Sequence, residues 1–523
     1  MKWNVLIPAA LAVCSLMVMA DLAQAADAPA AYKEHCASCH GEARLGGIGP
    51  ALIPENLARL RKAEAEKVIR EGRPATQMPA FGDKLNADEI KAMIEYAYTA
   101  IKPMPAWGEK EITASRIVLE PKRLPDKPVF KADPQNLFVV VESGDHHVSI
   151  LDGDKLEPIH RFQSRFALHG GPKFTPDGRY VFFASRDGWI TKFDLWNLKV
   201  ISEVRAGINT RNAAVSGDGK YVAVANYLPH SLVILDADLN FVKSLAVTDK
   251  DGKVSSRVSA VYDASPRQSF VAALKDVKEV WEVSYNPKAD DIPAGMIHDF
   301  KYKEGAFVSG FLNPVRTQLD DYLDDFYFTQ GYDEVMGASR NDAKSAVSGQ
   351  VVNLDARKKI ADLELPGMPH LGSGISWKWQ GKTVMATPNL NEGLISIIDM
   401  KTWKTLKQIK TRGPGFFMRS HENSRYAWTD SMMSKEFKDT MQVIDKQTLE
   451  VAAELKPVPG KTFAHVEFTR DGKYVLASLW EMDGALIIYD AVTLNEVKRL
   501  PMKKPVGKYN VWNKITKSEG TSH

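Results

Sequence analysis

The chain has 523 residues, which is too long for one ordinary domain. Lysine and arginine number 68 against 65 aspartate and glutamate residues, so the net charge of +3 gives no indication of nucleic acid as a partner. Hydrophobic residues make up 44% of the chain, which is typical of a globular protein with a large core.

The first 25 residues have the pattern of an export signal. Lys2 supplies a positive start, the stretch 5–19 is apolar, and the letters AQA at 23–25 offer a cleavage site. The apolar stretch is too short to span a bilayer comfortably, and no later stretch reaches the roughly 18 apolar residues of a membrane helix. We therefore expect a signal peptide over 1–25 and no membrane span.

The string "EHCASCHGEA" contains the C-x-x-C-H attachment motif of a c-type haem. Cys36 and Cys39 would bond the porphyrin, and His40 would supply one axial ligand of the iron. Cys14 lies in the export signal, so the mature chain keeps no further cysteine for a disulfide. A covalent haem c in an exported, bacterial-looking chain indicates the periplasm.

Residues 26–103 are predicted to form a small helical domain of the class I cytochrome c type. Helical periodicity continues to Gly72 and resumes after a cap at Asn86. Met78 lies in the loop between these segments, and we predict it as the second axial ligand, where a thioether raises the reduction potential. The proline- and lysine-rich stretch 104–130 has no clear period and is predicted to be a linker.

One phrase then returns eight times: an apolar strand, an acidic turn and a second strand. Its copies are "VSILDGDKLEPIHRF", "ITKFDLWNLKVISEV", "LVILDADLNFVKSL", "VWEVSYNPKADDI", "GQVVNLDARKKIADL", "ISIIDMKTWKTLKQI", "MQVIDKQTLEVAAEL" and "LIIYDAVTLNEVKRL". A spacing of roughly 45 residues with about four short strands per unit is typical of a β-propeller. The predicted fold class is therefore α plus all-β, a helical cytochrome c domain followed by an eight-bladed β-propeller over 131–515.

Three further features of the propeller can be predicted. Asp-Gly pairs between the copies, as in "FTPDGRYVFFAS", indicate hairpin turns. The strand "VGKYNVW" is expected to close the ring by pairing with the first blade near 136–162. The stretch 313–349, after the fourth copy, is expected to be a long inserted loop.

A propeller holds its ligand on the axis, where the loops of the blades converge, and three histidines precede or enter predicted innermost strands there. His169 is a candidate metal ligand, and the two glycines after it leave room for a flat ligand. His370 is a candidate ligand or distal group, and His465 a candidate acid or base. The alternative for each is a structural histidine packed inside a blade.

Arg186 and Arg211 are predicted at the same mouth, where a planar guanidinium suits carboxylates. A solvated surface position is the alternative for both. Tyr509, in the closing strand, is expected beside the axis, where it could hydrogen-bond a ligand or move a proton. The alternative for Tyr509 is an ordinary tyrosine packed in the core.

These motifs resemble the cytochrome cd1 family over nearly the whole mature chain. The haem c motifs "CASCHG" and "QMPAFG", and the propeller segments "LHGGPKFTPDGRY", "SRDGWITKFDLW", "GINTRNAAV", "MPHLGSG" and "GKYNVWN", carry the resemblance. The resemblance implies that His169 is the proximal ligand of a haem d1-type tetrapyrrole and His370 the distal histidine. It also implies that Arg186 and Arg211 bind the carboxylates of the tetrapyrrole.

The departures from the family's nitrite reductases are informative. Those enzymes need two distal histidines, and the stretch "GAFVSGFLNPV" has none where the first would be expected. His465 stands where the reductases place no histidine. This pattern resembles the family's dihydro-haem d1 dehydrogenases, which oxidise a propionate side chain to an acrylate and pass the electrons to haem c. Their catalytic histidine and tyrosine correspond to His465 and Tyr509.

The expected cofactors are one covalent haem c and, as non-covalent substrate and product, dihydro-haem d1 and haem d1. The expected partners are a soluble periplasmic electron acceptor and, as recipient of haem d1, a cytochrome cd1 nitrite reductase. Two alternatives stay open at this point, a nitrite reductase and a carrier that delivers haem d1 unchanged. A quinoprotein dehydrogenase would require a calcium site and tryptophan-docking repeats, which the sequence does not display.

Overall fold

The computed structural model describes residues 1, 27–47, 49–58, 60–73, 78–168, 170–338 and 349–517. Within these ranges it confirms the predicted fold class, a small helical unit followed by an eight-bladed propeller. Among the same residues, no helix has both the length and the apolar character that crossing a membrane requires. The predicted signal peptide lies outside the described residues, apart from its first residue.

The helical unit is built from short helices with recognisable ends. Asn86 accepts hydrogen bonds from the N–H groups of Asp88 and Glu89 at 3.0 Å each, and the Glu89 carboxylate accepts from the Asn86 N–H at 2.8 Å. Gly72 follows the fourth helix with φ +73°. The described helices are α1 (Ala28–His35), α2 (Ala37–His40), α3 (Pro54–Leu57), α4 (Lys62–Glu71), α5 (Ala87–Ala97), α6 (Glu109–Ser115) and α7 (Val511–Thr516).

Thirty-two of the 35 described strands form eight blades with four antiparallel strands each. In blade order they are β2 (Leu137–Glu142), β3 (His147–Asp152), β4 (Glu157–Gln163) and the closing β35 (Pro505–Asn510); β5 (Lys173–Phe174), β6 (Tyr180–Ala184), β7 (Trp189–Asp194) and β8 (Lys199–Arg205); β9 (Asn209–Val215), β10 (Tyr221–Leu228), β11 (Ser231–Asp236) and β12 (Phe241–Ala246); β13 (Val258–Ala264), β14 (Ser269–Leu274), β15 (Glu279–Ser284) and β18 (Pro314–Gln318); β19 (Asp325–Phe328), β20 (Glu334–Ala338), β21 (Gly349–Asn353) and β22 (Lys358–Leu363); β23 (Ile375–Trp379), β24 (Lys382–Pro388), β25 (Leu394–Asp399) and β26 (Thr405–Lys410); β27 (Met418–Arg419), β28 (Tyr426–Asp430), β29 (Met441–Asp445) and β30 (Glu450–Leu455); β31 (Phe463–Phe468), β32 (Tyr474–Leu479), β33 (Gly484–Asp490) and β34 (Glu496–Met502).

The ring is closed by β35, as predicted. It pairs with β2 in antiparallel register, with Val139 opposite Tyr509. Innermost strands of neighbouring blades contact each other, as β9 does β13 and β31 does β35. Closure joins the last residues of the propeller to the first blade and removes the free edge there.

The repeated acidic residue forms the turn between the third and fourth strands of a blade. Asp194 accepts hydrogen bonds from the N–H groups of Trp196 and Asn197 at 2.9 and 3.1 Å, and Leu198 then adopts φ +54°. The same pair of bonds is made by Asp152, Asp399, Asp445 and Asp490. The phrase therefore repeats because this turn joins the third and fourth strands in five of the eight blades.

The prediction of one long loop over 313–349 was wrong. Strands β18, β19 and β20 lie in this stretch, and residues 339–348 are outside the described residues. The insertion is instead a hairpin between the third and fourth strands of blade 4, formed by β16 (Ile292–Asp299) and β17 (Glu304–Val308). Strands of four or five residues carry too few alternating positions to stand out among acidic residues.

The predicted linker contains regular structure. Helix α6 buries Ile112 completely against a cluster shared by blades 2 and 3. Strand β1 (Ile117–Val118) pairs with β8 and extends blade 2 to five strands. The stretch 104–130 is thus packed on the propeller, and its prolines masked a helix of only seven residues.

Candidate active site

The haem c motif lies at the junction of α1 and α2. Cys36 and Cys39 are half-buried, and neither forms a disulfide among the described residues. The Nδ1–H of the buried His40 donates to the carbonyl oxygen of Pro50 at 2.7 Å, which leaves Nε2 as the nitrogen available to a metal. Two thiols and a buried imidazole at this spacing fit a covalently attached haem c.

Met78 borders the core of the helical unit. It is half-buried and packs against a cluster that includes Phe81 and Ile90, while residues 74–77 lie outside the described residues. Its carbonyl oxygen accepts a hydrogen bond from the N–H of Arg73 at 3.1 Å. Its assignment as the second axial ligand stays a prediction.

Polar side chains from opposite blades meet at the propeller axis. Burial lowers the pKa of Lys173 to about 8, while Asp325 on blade 5 opposes this shift and Arg419 on blade 7 adds to it. Blades 2, 5 and 7 are not neighbours, so these groups can act on one another only at the axis. The innermost strands, or the residues just before them, supply Lys173, Arg211, Tyr262, Asp325, His370, Arg419, His465 and Tyr509.

His465 is held at the axis by a β-bulge. The register between β31 and β32 shifts between Ala464 and Val466, and His465 adopts φ +53°. A bulge of this kind turns a side chain out of the regular alternation of a strand. His465 is 1% exposed, and its Nε2 has no hydrogen-bond partner among the described residues. Burial holds the pKa of His465 well below its usual range, and the Arg419 guanidinium lowers it further, so the imidazole is neutral.

Tyr509 lies beside His465, with 5.4 Å between the ring centroids. Burial raises the pKa of Tyr509 to about 12, so its hydroxyl is protonated at neutral pH. A Cβ on Gly171 or Gly507 would lie 3.3 or 2.7 Å from the Tyr509 hydroxyl oxygen. The structure therefore brings together the two residues predicted to be catalytic.

The two glycines after His169 serve protein packing. Gly170 and Gly171 have φ values of +82° and +71°. A Cβ on Gly170 would lie 2.6 Å from the Asn212 side chain, and one on Gly171 would crowd Tyr509. This close approach replaces our expectation that they leave room for a flat ligand. His169 itself lies outside the described residues, so its role as metal ligand stays a prediction.

His370 directly precedes blade 6, and both of its ring nitrogens face protein groups. Nδ1–H donates to the carbonyl oxygen of Phe416 at 2.9 Å, and Nε2 lies 3.5 Å from a carboxylate oxygen of Asp325. Asp325 also accepts a hydrogen bond from the Tyr262 hydroxyl at 2.9 Å. Ligation of iron by Nε2 would require the imidazole to leave Asp325, and this role stays a prediction.

Arg186 and Arg211 are joined to the His169 segment through the backbone. The N–H of Arg186 donates to the carbonyl oxygen of Ala167 at 3.0 Å, and the carbonyl oxygen of Arg186 accepts from the N–H of Thr210 at 3.1 Å. Both arginine side chains are half-buried. The structure thus gathers these two residues at one side of the mouth, where they could bind carboxylates.

The turn that carries Arg186 depends on Gly188. Gly188 has φ +93°, and a Cβ there would lie 1.8 Å from the carbonyl oxygen of Gly207. We expect Gly188→Ala to lower the free energy of unfolding by about 3 kcal/mol or more, because left-handed strain adds to a backbone clash. Thermal and denaturant unfolding would measure the loss.

Gly219 provides the matched control for that substitution. It also has a positive φ, +70°. A Cβ there would make only one close contact, at 3.3 Å from the Pro176 side chain. We expect Gly219→Ala to cost only about 1–2 kcal/mol. Equal losses for the two variants would contradict the clash at Gly188.

Several buried charged residues at the axis were not predicted from the sequence. Arg419, Glu467 and Lys508 are each at most 3% exposed. Glu467 accepts a hydrogen bond from the Asn513 side chain at 3.1 Å, and Arg419 donates to the Met418 carbonyl oxygen at 2.9 Å. A charged residue between apolar ones in a strand normally faces solvent. Superposing the eight repeats would have identified their strands as innermost.

The helical unit contacts blades 2 and 3 beside this mouth. Arg205 donates to the carbonyl oxygen of Leu45 at 2.6 Å, and Asn209 donates to the carbonyl oxygen of Glu55 at 3.1 Å. An apolar cluster joins the same surfaces and contains Ala51, Ile53, Ile208 and Leu228. The segment after the haem c motif therefore packs on the loop that leads to Arg211.

A second contact involves the loop that carries Met78. The guanidinium of Arg73 lies 5.4 Å from the ring centroid of Phe166, three residues before His169. Two segments of the helical unit thus contact the propeller, one just after the haem c motif and one just before the loop that carries Met78. This arrangement is suited to electron transfer between the two sites.

Two family models match the chain. One, described as Cytochrome D1 heme domain, matches residues 132–514, and the other, described as Cytochrome C oxidase, cbb3-type, subunit III, matches residues 23–96. The first match covers the propeller strands up to β35, and the second covers the haem c motif.

Individual relatives match nearly the whole chain. A protein of Pseudomonas aeruginosa described as Dihydro-heme d1 dehydrogenase is 55% identical over 511 residues, covering 97% of this chain and 98% of its own. A Nitrite reductase of Stutzerimonas stutzeri is 25% identical, covering 92% and 91%. A solved structure described as Dihydro-heme d1 dehydrogenase NirN in complex with DHE is 55% identical with a TM-score of 0.86, covering 93% of this chain and 99% of its own.

Proposed function

The chain belongs to the Cytochrome D1 heme domain family, and on that premise we propose that it is a dihydro-haem d1 dehydrogenase. It oxidises a propionate side chain of the bound tetrapyrrole to an acrylate. It works in the periplasm, consistent with the export-signal pattern of its first 25 residues. The observation that carries this proposal is the pair of His465 and Tyr509 at the axis, with the unpartnered Nε2 of His465 among the described residues.

Forming the double bond releases two electrons and two protons from the propionate. The neutral imidazole of His465 accepts one proton from carbon at Nε2, because it is a base at neutral pH. The second proton is released to water, and the two electrons leave one at a time for the soluble acceptor. The hydroxyl of Tyr509 stays protonated and donates a hydrogen bond to the substrate. The different pKa values of the two groups thus assign one as acceptor and the other as donor.

The remaining axial residues bind and orient the tetrapyrrole. Arg186 and Arg211 hold carboxylates, while His169 and His370 are the proposed ligands of the substrate's iron. Haem c, when bound by Cys36, Cys39, His40 and Met78, accepts electrons one at a time. A soluble periplasmic acceptor then takes them up, and a cytochrome cd1 nitrite reductase receives the product.

The test mixes dihydro-haem d1 anaerobically with the purified protein. The protein carries oxidised haem c and is in more than twofold excess, because each haem c accepts one electron and the oxidation releases two. We expect the mass of the extracted tetrapyrrole to fall by two hydrogens while the absorption of haem c changes to that of the reduced form. Both changes should have the same rate constant, because the electrons leave through haem c.

Other outcomes would favour other functions. Tight binding with an unchanged tetrapyrrole mass, in the presence of an electron acceptor, would indicate a carrier and contradict the dehydrogenase. Turnover of nitrite to nitric oxide, with electrons flowing from haem c inward, would indicate a reductase.

A further inference from the structure

Lys508 is a buried lysine in direct contact with His465. It is 0% exposed and precedes Tyr509 on β35. Its Nζ donates to the carbonyl oxygen of His465, lies 2.8 Å from the Ser478 hydroxyl oxygen and lies 3.2 Å from Nδ1 of His465. It thus contacts both the backbone of the bulge and the imidazole ring.

The charged groups around Lys508 do not include a carboxylate in contact with it among the described residues. Glu467 on β31 and Asp430 on β28 favour an ammonium from a distance, and Arg419 on β27 opposes it. Burial acts most strongly and holds the pKa of Lys508 well below its usual range. An ammonium without a contacting carboxylate is costly in such a site, so the amine is neutral.

A neutral amine matches the three contacts. Its two N–H groups can donate to the His465 carbonyl and to the Ser478 hydroxyl, and its one lone pair then faces Nδ1. An acceptor at Nδ1 keeps the imidazole proton on that nitrogen. The buried Nε2, which has no partner among the described residues, is then left with a lone pair.

We propose that Lys508, as a neutral amine, is the positioning residue that sets His465 in the tautomer able to accept a proton at Nε2. When Nε2 takes the proton from the substrate, Nδ1–H donates to the amine and the imidazolium is stabilised. A protonated Lys508 would instead donate to Nδ1, move the ring proton to Nε2 and remove the base. The inference deepens the proposed function and rests on it for the identity of the substrate.

Other charged groups facing this pair come from neighbouring elements. Arg419 on β27 lowers the pKa of His465, and Lys508 and Lys514 on α7 would lower it further only when protonated. The protonated Tyr509 lies against the ring. Protonation of the pair is therefore one coupled event.

The test compares Lys508→Met and Lys508→Gln in the full-length protein carrying haem c. Glutamine keeps an N–H for the carbonyl and an oxygen for Nδ1–H, whereas methionine keeps neither. We expect kcat to fall about 100-fold in Lys508→Met and to stay within about threefold in Lys508→Gln, with KM little changed in both. The acid limb of the pH profile of kcat should move to lower pH in both, because no amine is left to protonate.

Lys446→Met is the matched control. Lys446 is also buried and donates to the carbonyl oxygen of a buried histidine, His421, at 3.0 Å. Its substitution should leave the acid limb of the kcat profile unchanged. An unmoved acid limb in Lys508→Met, or a Lys508→Gln variant as slow as Lys508→Met, would overturn the proposal.

A second measurement does not depend on turnover. Unfolded lysine is protonated below its ordinary pKa of 10.5, whereas Lys508 is neutral in the fold. Lowering the pH therefore favours unfolding, by up to about tenfold in the equilibrium constant per pH unit. Without ligand, the thermal midpoint of Lys508→Met relative to wild type should rise as the pH falls from about 9 to about 6.5.

The two measurements separate two kinds of failure. A difference in thermal midpoint that does not change with pH would overturn the neutral amine, whatever the protein catalyses. A pH-dependent difference in a wild-type protein that fails to convert dihydro-haem d1 would support the neutral amine and contradict the proposed function instead.

Discussion

His465→Ala is expected to lower kcat for tetrapyrrole oxidation by about 10²- to 10³-fold, while affinity for dihydro-haem d1 changes less than about threefold. The imidazole beside Tyr509 is the proposed base, and its Nε2 makes no hydrogen bond among the described residues. Tyr509 cannot replace it as a base, because burial raises its pKa to about 12. Single-turnover reduction of haem c would measure the chemical step, and an absorbance titration would measure binding.

His421→Ala is the control for this prediction. His421 is also fully buried with an unpartnered Nε2 among the described residues, and it follows the innermost strand of blade 7. Loss of His421 should alter stability without lowering kcat of the folded protein. A His465→Ala variant that keeps more than half of the wild-type kcat would show that the base is another group.

The sequence predicted the blades well because each blade repeats a local chemical requirement. The aspartate that caps the turn before Leu198 has counterparts with the same pair of bonds in four other blades, so the phrase could be counted. The strands β18 to β20 were not predicted, because each has only four or five residues and they lie among acidic residues. Residues in a tight turn obey local rules, whereas short strands are formed by their neighbours.

The site was only partly predictable, for a different reason. His465 and Tyr509 could be found as unusual residues in innermost strands. The bulge at His465 interrupts the alternation of inward and outward side chains in "FAHVEF", and the sequence does not indicate this bulge. From the local pattern alone, Lys508 and Glu467 would be predicted to face solvent. They are recognised as buried only when the eight innermost strands are arranged around one axis. Burial of a charge is a property of the closed ring, so local pattern alone cannot reveal it.

Replacing both Cys36 and Cys39 by serine is expected to stop multiple turnover while leaving tetrapyrrole binding intact. The two thiols carry the covalent attachment of haem c, and the axial residues of the propeller belong to separate blades. Mass spectrometry of the intact chain would establish that no haem is attached. Titration with dihydro-haem d1 would then give the wild-type affinity.

The double serine variant also tests the direction of electron flow. In a dehydrogenase, haem c is the outlet for electrons, so the variant should regain oxidation when a soluble one-electron oxidant small enough to reach the mouth is added. Wild-type protein under the same oxidant serves as the control. A double variant that desaturates the tetrapyrrole at the wild-type rate, when the only oxidant is a protein too large to enter the mouth, would contradict the role of haem c as the electron outlet. Restored oxidation would instead indicate that the propeller residues carry out the oxidation. It would also indicate that the haem c held by Cys36 and Cys39 serves as the outlet for the electrons.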